Sequence, residues 1–303
     1  MKLTIWTALI TAVSAQSYRL TDSYTGNNFF SKFDFFTGDD PNHGFVDYQS
    51  QSSAQSRGLI SSTSDYVIIA ADATNVYPRS ARGRPSVRIE SINSYTTGLF
   101  VADIEHMPGN ACGIWPAFWT LGSDPWPQNG EIDIIEEINL NANNQYTLHS
   151  GDGACSISGY SGAGRISSGN CQTTNNGNVV NTAGCTIQPP SVNNYGNNFN
   201  NNNGGTYVMQ WTNSVINFWF FQRGQQPETL TSGSPDVGQL GTPDASFNGC
   251  DIGSHFRDNR LIINTNFCGD WGKLTNSINK YLYLTNHFSQ LVEMACTHHS
   301  VRW

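Results

Sequence analysis

Along this chain the apolar positions come in short runs broken by turn residues. The runs "DYVIIAAD", "SVRIESI", "GLFVADIEHM", "AFWTLG", "EIDIIEEI", "QYTLHSG", "TYVMQWT", "VINFWFFQR" and "RLIINTNF" are each five to ten residues long, and β-branched and aromatic side chains fill them. That spacing predicts a β-sandwich or barrel. Several runs alternate, as where Tyr207, Met209 and Trp211 interleave with Val208, Gln210 and Thr212, which predicts strands with one face on a core and one in a groove. Helical periodicity over eleven or more residues is nearly absent outside the C-terminal tail. The Asn/Gly-rich region 175–205 has too little apolar content to fold alone, and reads as a long surface loop on the rim of a cleft.

The run "WPQNGEIDIIEEIN" poses a geometric problem. It carries carboxylates at Glu131, Asp133 and Glu136. On a helix, at about 100° per residue, these would splay apart. On a regular strand Glu131 and Asp133 share a face, but Glu136, an odd number of positions on, points the other way. One extra residue within 134–136, a β-bulge, returns Glu136 to the face of the other two, and bulges are common beside active sites. Ile132, Ile134 and Ile135 would then occupy the opposite face, making the strand central rather than a solvated acidic stripe.

Paired carboxylates flanking a bond are the equipment of glycoside hydrolysis, one serving as acid and the other as nucleophile or base. Two glutamates can lean toward each other across that span. The shorter Asp133 suits the middle, where it can hydrogen-bond the nucleophile and help separate the two glutamate pKa values. A Ca²⁺ site is the rival use of clustered acids, but no regular ligand loop accompanies them. Aromatic residues add to the picture, since flat rings both fill cores and stack on sugars. Trp126 and Trp271 sit in the turn-like contexts "DPWPQNG" and "FCGDWG" and so lean toward a cleft, whereas Trp211 and Trp219 lie in strands and are left to the core or undecided. His149, in "LHSGDG", is either a loop-end histidine or a site residue.

Composition narrows the class. The 303 residues carry a net charge of −8, so no basic surface exists for nucleic acid or anionic membrane. Residues 1–15, "MKLTIWTALITAVSA", have a lysine, an apolar run and a small-residue end, and read as a secretory signal cleaved after Ala15, hence a secreted, extracellular product. Seven cysteines in an oxidising compartment imply disulfides. Their connectivity cannot be deduced from spacing, although Cys171 and Cys185 could close a short loop.

The motifs "NNFFSKFDFFTGDDPNHGFVDY", "GRPSVRIESINSYTTGLFVADIEHMP", "CGIWPAFWTLG", "WPQNGEIDIIEEIN", "YTLHSGDGAC" and "CDIGSHFRDNRLIINTNFCGDW" together give the chain a close resemblance to fungal laminarinase-type members of glycoside hydrolase family 16. The resemblance runs from about residue 18 to Trp271, so that 16–271 would form the catalytic domain. It implies an all-β fold, a concanavalin-like jelly-roll β-sandwich of two antiparallel sheets. It also implies a retaining endo-1,3(4)-β-glucanase acting on β-glucan polysaccharide, with Glu131 as nucleophile, Glu136 as acid/base and Asp133 as helper. Trp115, Trp119, Trp126, His149, Trp271 and Arg88 match sugar-binding positions of that family. No cofactor or metal is expected, and the protein is expected to be a monomer. The alternatives on the same scaffold are a non-catalytic carbohydrate-binding jelly roll and a transglycosylase. Glu137 stands where many relatives have glycine.

The tail 272–303, "GKLTNSINKYLYLTNHFSQLVEMACTHHSVRW", is atypical, and lacks the closing strand the resemblance calls for. Codons for Gly272-Lys273 can hold a splice-donor word, and those for Leu284-Thr285 and Gln290 branch-point and acceptor words. The tail is therefore expected to be a retained intron followed by a misread exon, which transcript sequencing across the junction tests.

Overall fold

The computed structural model describes residues 18–272, so the signal expected at 1–15 and the tail beyond Gly272 lie outside the described residues. Twelve strands build the body: β1 (Phe33–Phe35), β2 (Arg88–Tyr95), β3 (Gly98–Ile104), β4 (Ile114–Leu121), β5 (Glu131–Glu136), β6 (Gln145–His149), β7 (Arg165–Ser168), β8 (Cys185–Gln188), β9 (Gly205–Trp211), β10 (Ile216–Gln222), β11 (Ala245–Phe247) and β12 (Asn259–Phe267). Eight of them form one antiparallel sheet in the order β1-β2-β12-β4-β5-β6-β8-β7, and four form the other, β11-β10-β9-β3. The spacing predicted a sandwich or barrel, and this is the jelly-roll sandwich that the resemblance implied. Among the described residues no helix is long and apolar enough to cross a membrane.

The core lies between the sheets. Ile132, Ile134, Ile135, Tyr146, Leu148 and Ile187 come from the eight-stranded sheet and meet Tyr207, Met209, Trp211, Ile216, Phe218 and Phe247 from the other. At about 1.5–3 kcal/mol for each large apolar side chain buried, this interface fixes which face of every strand points inward. Trp211 is thus a core residue. The second face of β9 corrects the expectation of a groove there: Val208 packs with Trp219 and Leu240 in a separate apolar cluster, and all of β9 is buried. Alternation gives one face to the core, but what covers the other is supplied by the segment 230–240, distant in sequence.

A second correction concerns 175–205, which is not one surface loop. Cys185–Gln188 is a strand of the large sheet, and Gly196–Asn201 is a short helix whose Phe199 is fully buried, preceded by buried Asn194 and Tyr195. The stretches 175–183, 188–193 and 200–203 are exposed or half-exposed, and the segments between them are largely buried. Cys185, Ile187, Tyr195 and Phe199 go inward while Val179, Val180 and Val192 stay exposed, and asparagine amides bond the irregular backbone, as where Asn194 Nδ2 donates to Ser191 O and Asn181 Nδ2 to Asn170 O. Among the described residues, disulfides join Cys171 to Cys185, the short loop anticipated, and Cys155 to Cys250.

Candidate active site

Strand β5 crosses the middle of the large sheet, and its pairing shows the extra residue. On the β6 side Asp133 pairs with Thr147 and Glu136 with Gln145, three residues against two. On the β4 side Asp133 pairs with Trp119 and Ile135 with Phe118, two residues against one. Both irregularities bracket Ile134. Ile132, Ile134 and Ile135 all lie in the sandwich core, while Glu131 and Glu136 remain half-exposed. The energetics favour this arrangement. Without the bulge Glu136 would replace an isoleucine in the core, where an unpaired carboxylate costs several kcal/mol, against about 1 kcal/mol for a displaced ladder hydrogen bond. The strand is entered through Gly130 at φ 81°, where a Cβ would come within 2.3 Å of the Phe256 ring, so only glycine fits.

The register then places the other residues in rows. Trp119 and Thr147 flank Asp133, and His149 is opposite Glu131. At one end Trp126 Nε1 donates to Glu131 Oε2 at 3.0 Å, and at the other Trp115 Nε1 donates to Glu136 Oε1 at 2.7 Å. Each glutamate thus has one oxygen held by an indole. Trp271 packs edge-to-face on Trp115 with ring centroids 5.5 Å apart. Trp126 is the most open of these rings, 39% exposed, and lies 6.0 Å from the His149 ring. His149 Nε2 sits 3.7 Å from Glu131 Oε1 and 3.5 Å from Asp133 Oδ2, and its Nδ1 is 3.3 Å from Thr173 Oγ1.

Arg88 differs in kind. It is buried, its guanidinium bonded to Glu90 at 2.9 Å and lying over the rings of Phe36 and Trp119 at 4.6 and 5.1 Å. It backs Trp119 from beneath rather than presenting a free fork. The Trp119 indole nitrogen donates to Asn264 Oδ1 at 2.7 Å. Asn264 was missed from sequence, although the alternation of Asn264 and Asn266 along "IINTNF" marks a polar face in the row of Ala117 and Glu136. Thr173 and Asn144 were missed as well. Both act from loops, and no periodicity announces them.

Burial dominates the electrostatics. It raises Glu131 to about 7, against the lowering effects of the Trp126 hydrogen bond and the Arg88 charge. It raises Glu136 to about 8, against the Trp115 hydrogen bond and with help from the charges of Glu131 and Glu137. Asp133 is pushed well above the carboxylate range by burial and by both neighbours, and its Oδ2 has no hydrogen-bond partner. Burial lowers His149 to about 4, so it is neutral beside the acids. Glu137, also buried, is raised to about 7 and bonds Asn141 and the Ile138 amide. Proton sharing among Glu131, Asp133 and Glu136 is the natural consequence of three carboxylates crowded together where burial disfavours charge. Glu131, Asp133 and His149 also set one ligand atom each within 4.8 Å of one another. Three donors fall short of the six to eight oxygens that Ca²⁺ takes.

A family model described as the XgeA-like, catalytic GH16 domain matches residues 33–300. The chain belongs to glycoside hydrolase family 16. The match runs past Trp271, the point at which the resemblance by motif ends. Among relatives of this GH16 chain, the endo-1,3(4)-β-glucanase xgeA of Emericella nidulans is 43% identical over 263 residues, 86% of this chain and 41% of the relative. A probable endo-1,3(4)-β-glucanase of Aspergillus niger is 42% identical over 266 residues, 87% of this chain and 35% of the relative. The chain therefore spans about two fifths of the length of these relatives. Solved GH16 structures are matched almost end to end. One is an elongating GH16 β-1,3-glucosyltransferase, with TM-score 0.83, 39% identity, and 93% of this chain and 94% of that one covered. Another is laminarinase 16A from Phanerochaete chrysosporium with β-glucans in both donor and acceptor sites, with TM-score 0.80, 41% identity, and 88% and 89% covered.

Proposed function

We propose that this GH16 domain is a secreted, retaining endo-β-glucanase that cleaves internal β-1,3 bonds, and β-1,4 bonds in mixed-linkage glucan, as a single chain without a cofactor. The observation that carries the reading is the bulge at Ile134, with its two indole donors holding Glu131 and Glu136 on one face. In the first step a Glu131 carboxylate oxygen bonds to the anomeric carbon while Glu136 gives its proton to the departing glycosidic oxygen. In the second, Glu136, now a carboxylate, takes a proton from water as the water oxygen replaces Glu131 at that carbon, which restores the starting anomer. The charges around the two glutamates support these roles: the Arg88 charge and the Trp126 hydrogen bond act to lower Glu131, whereas the charges of Glu131 and Glu137 act to raise Glu136.

Asp133 serves as the proton-sharing partner between them. Trp126, Trp271 and Trp119 offer ring faces to sugar, with Trp119 held by Arg88 and Asn264. The names of the relatives and the β-glucan held on both sides of the scissile position in laminarinase 16A support a polymeric β-1,3-linked substrate. Release of reducing ends from laminarin, with the product anomer followed by NMR, tests the reading. Loss of that release by 10³-fold or more in Glu131→Gln is expected, and wild-type inactivity on laminarin and lichenan would refute it.

Transglycosylation is the second reading, favoured by the similarity to an elongating β-1,3-glucosyltransferase. Product analysis with excess laminari-oligosaccharide acceptor separates the two: chain lengthening marks the transferase, shortening the hydrolase.

A further inference from the structure

A bulge leaves backbone groups off the ladder, and at Ile134 one buried side chain meets them. Asn144, 1% exposed, accepts from the Glu136 N–H through Oδ1 at 2.9 Å and donates through Nδ2 to the Ile134 carbonyl at 2.8 Å. One amide therefore spans the extra residue, occupying the positions a neighbouring backbone would take in a regular ladder. Asn144 is itself held. Its own N–H donates to Asn194 Oδ1 at 2.9 Å, and Asn194 Nδ2 donates to Ser191 O and Oγ at 3.0 and 3.2 Å. The Asn194 carbonyl accepts from the Tyr207 hydroxyl of β9, and the next residue, Tyr195, donates its hydroxyl to the Glu137 carbonyl at 2.8 Å. Asn194 and Tyr195 are 0% and 1% exposed. The asparagine-rich segment thus ties the opposite sheet to the C-terminal end of the acid strand.

We propose that Asn144, oriented by Asn194, is a positioning residue for Glu136, fixing the bulge register that aims its carboxyl at the glycosidic oxygen. The inference rests on Glu136 being the acid. Orphaning both the Glu136 N–H and the Ile134 carbonyl favours relaxation of the bulge, and the carboxyl then drifts from the position where proton transfer occurs. Glu131, three residues before Ile134 and paired with His149, stays put.

The test compares kcat/KM on laminarin, whose leaving sugar needs a proton, with kcat/KM on a 2,4-dinitrophenyl β-laminarioligosaccharide, whose leaving group does not. Asn144→Ala is expected to lose about 10²-fold on laminarin and less than about threefold on the dinitrophenyl substrate, since positioned acid catalysis contributes about 10²–10⁴. Asn194→Ala, which removes the oxygen that orients Asn144 together with the amide bonded to Ser191 but leaves Asn144 itself in place, is expected to show the same selectivity at about tenfold, and decides the matter if Asn144→Ala does not fold. Equal losses on both substrates in the folded variant, or laminarin activity within twofold of wild type, overturn the proposal. Glu136→Gln is the control. If it fails to show the selective loss, the role given to Glu136 fails, independently of Asn144.

Discussion

Glu136→Gln has a consequence for stability as well as for catalysis. The substitution keeps the Oε1 that accepts from Trp115 Nε1 and removes the charge. Burial raises the Glu136 pKa from 4.5 to about 8. An acid raised in this way binds more protons folded than unfolded, so its penalty is nil below about pH 4.5 and grows as pH rises toward 8. At about 1.4 kcal/mol per unit, pH 7 would cost the folded protein about 3 kcal/mol. Glu136 is only half-buried as a residue, and screening by solvent reduces this to about 2 kcal/mol. Glu136→Gln should therefore raise Tm by roughly 4–8 °C at pH 7 and by less than about 2 °C at pH 4. Paired scanning calorimetry of wild type and variant at the two pH values measures it. An equal Tm at both pH values, or a gain larger at pH 4, would refute the claim that burial holds the proton on this carboxyl.

Four further outcomes follow from the same geometry. Trp115→Phe removes a hydrogen bond that lowers the Glu136 pKa, so the alkaline limb of the kcat/KM profile on laminarin should move to higher pH; a downward shift would contradict it. Glu137→Gln removes a charge that raises Glu136, and the same limb should move to lower pH, which a pH-rate series resolves. Trp126→Phe, losing the donor to Glu131 but keeping a ring, should cut kcat by about tenfold or more with a smaller change in KM, and unchanged kcat would argue against that contact. Phe199→Ala should cost about 3–5 kcal/mol in urea unfolding, because this helix packs into the core; a loss under 1 kcal/mol would restore the surface-loop reading.

A β-sandwich or barrel was legible because short alternating runs and turn residues recur at that spacing, the jelly roll itself came from the family resemblance, and the two-sheet core follows from the inward-facing member of each pair, such as Met209 against Gln210. The bulge was legible for a sharper reason. Three acids and three isoleucines on six consecutive strand positions can be sorted onto opposite faces only with an extra residue, and Ile134 is where both neighbouring strands show it. What stayed hidden depends on contacts between distant segments. The outer cover of Val208 comes from the residues around Leu240, and the support of the bulge comes from Asn144 and Asn194 in stretches that composition alone reads as loop. An asparagine that bonds backbone leaves no periodic trace. Arg88 was found by its motif, but its place beneath Trp119 is visible only once β2, β12 and β4 are laid side by side.

The central proposal is that Glu131 and Glu136 converge on one sugar, with the former bonding to carbon. Incubation with 2,4-dinitrophenyl 2-deoxy-2-fluoro-β-laminaribioside, followed by peptide mass spectrometry, would trap that bond. A single fluoroglycosyl adduct on Glu131 is the expected result; an adduct on Asp133 or Glu136, or turnover to the inverted anomer with none trapped, would contradict the account.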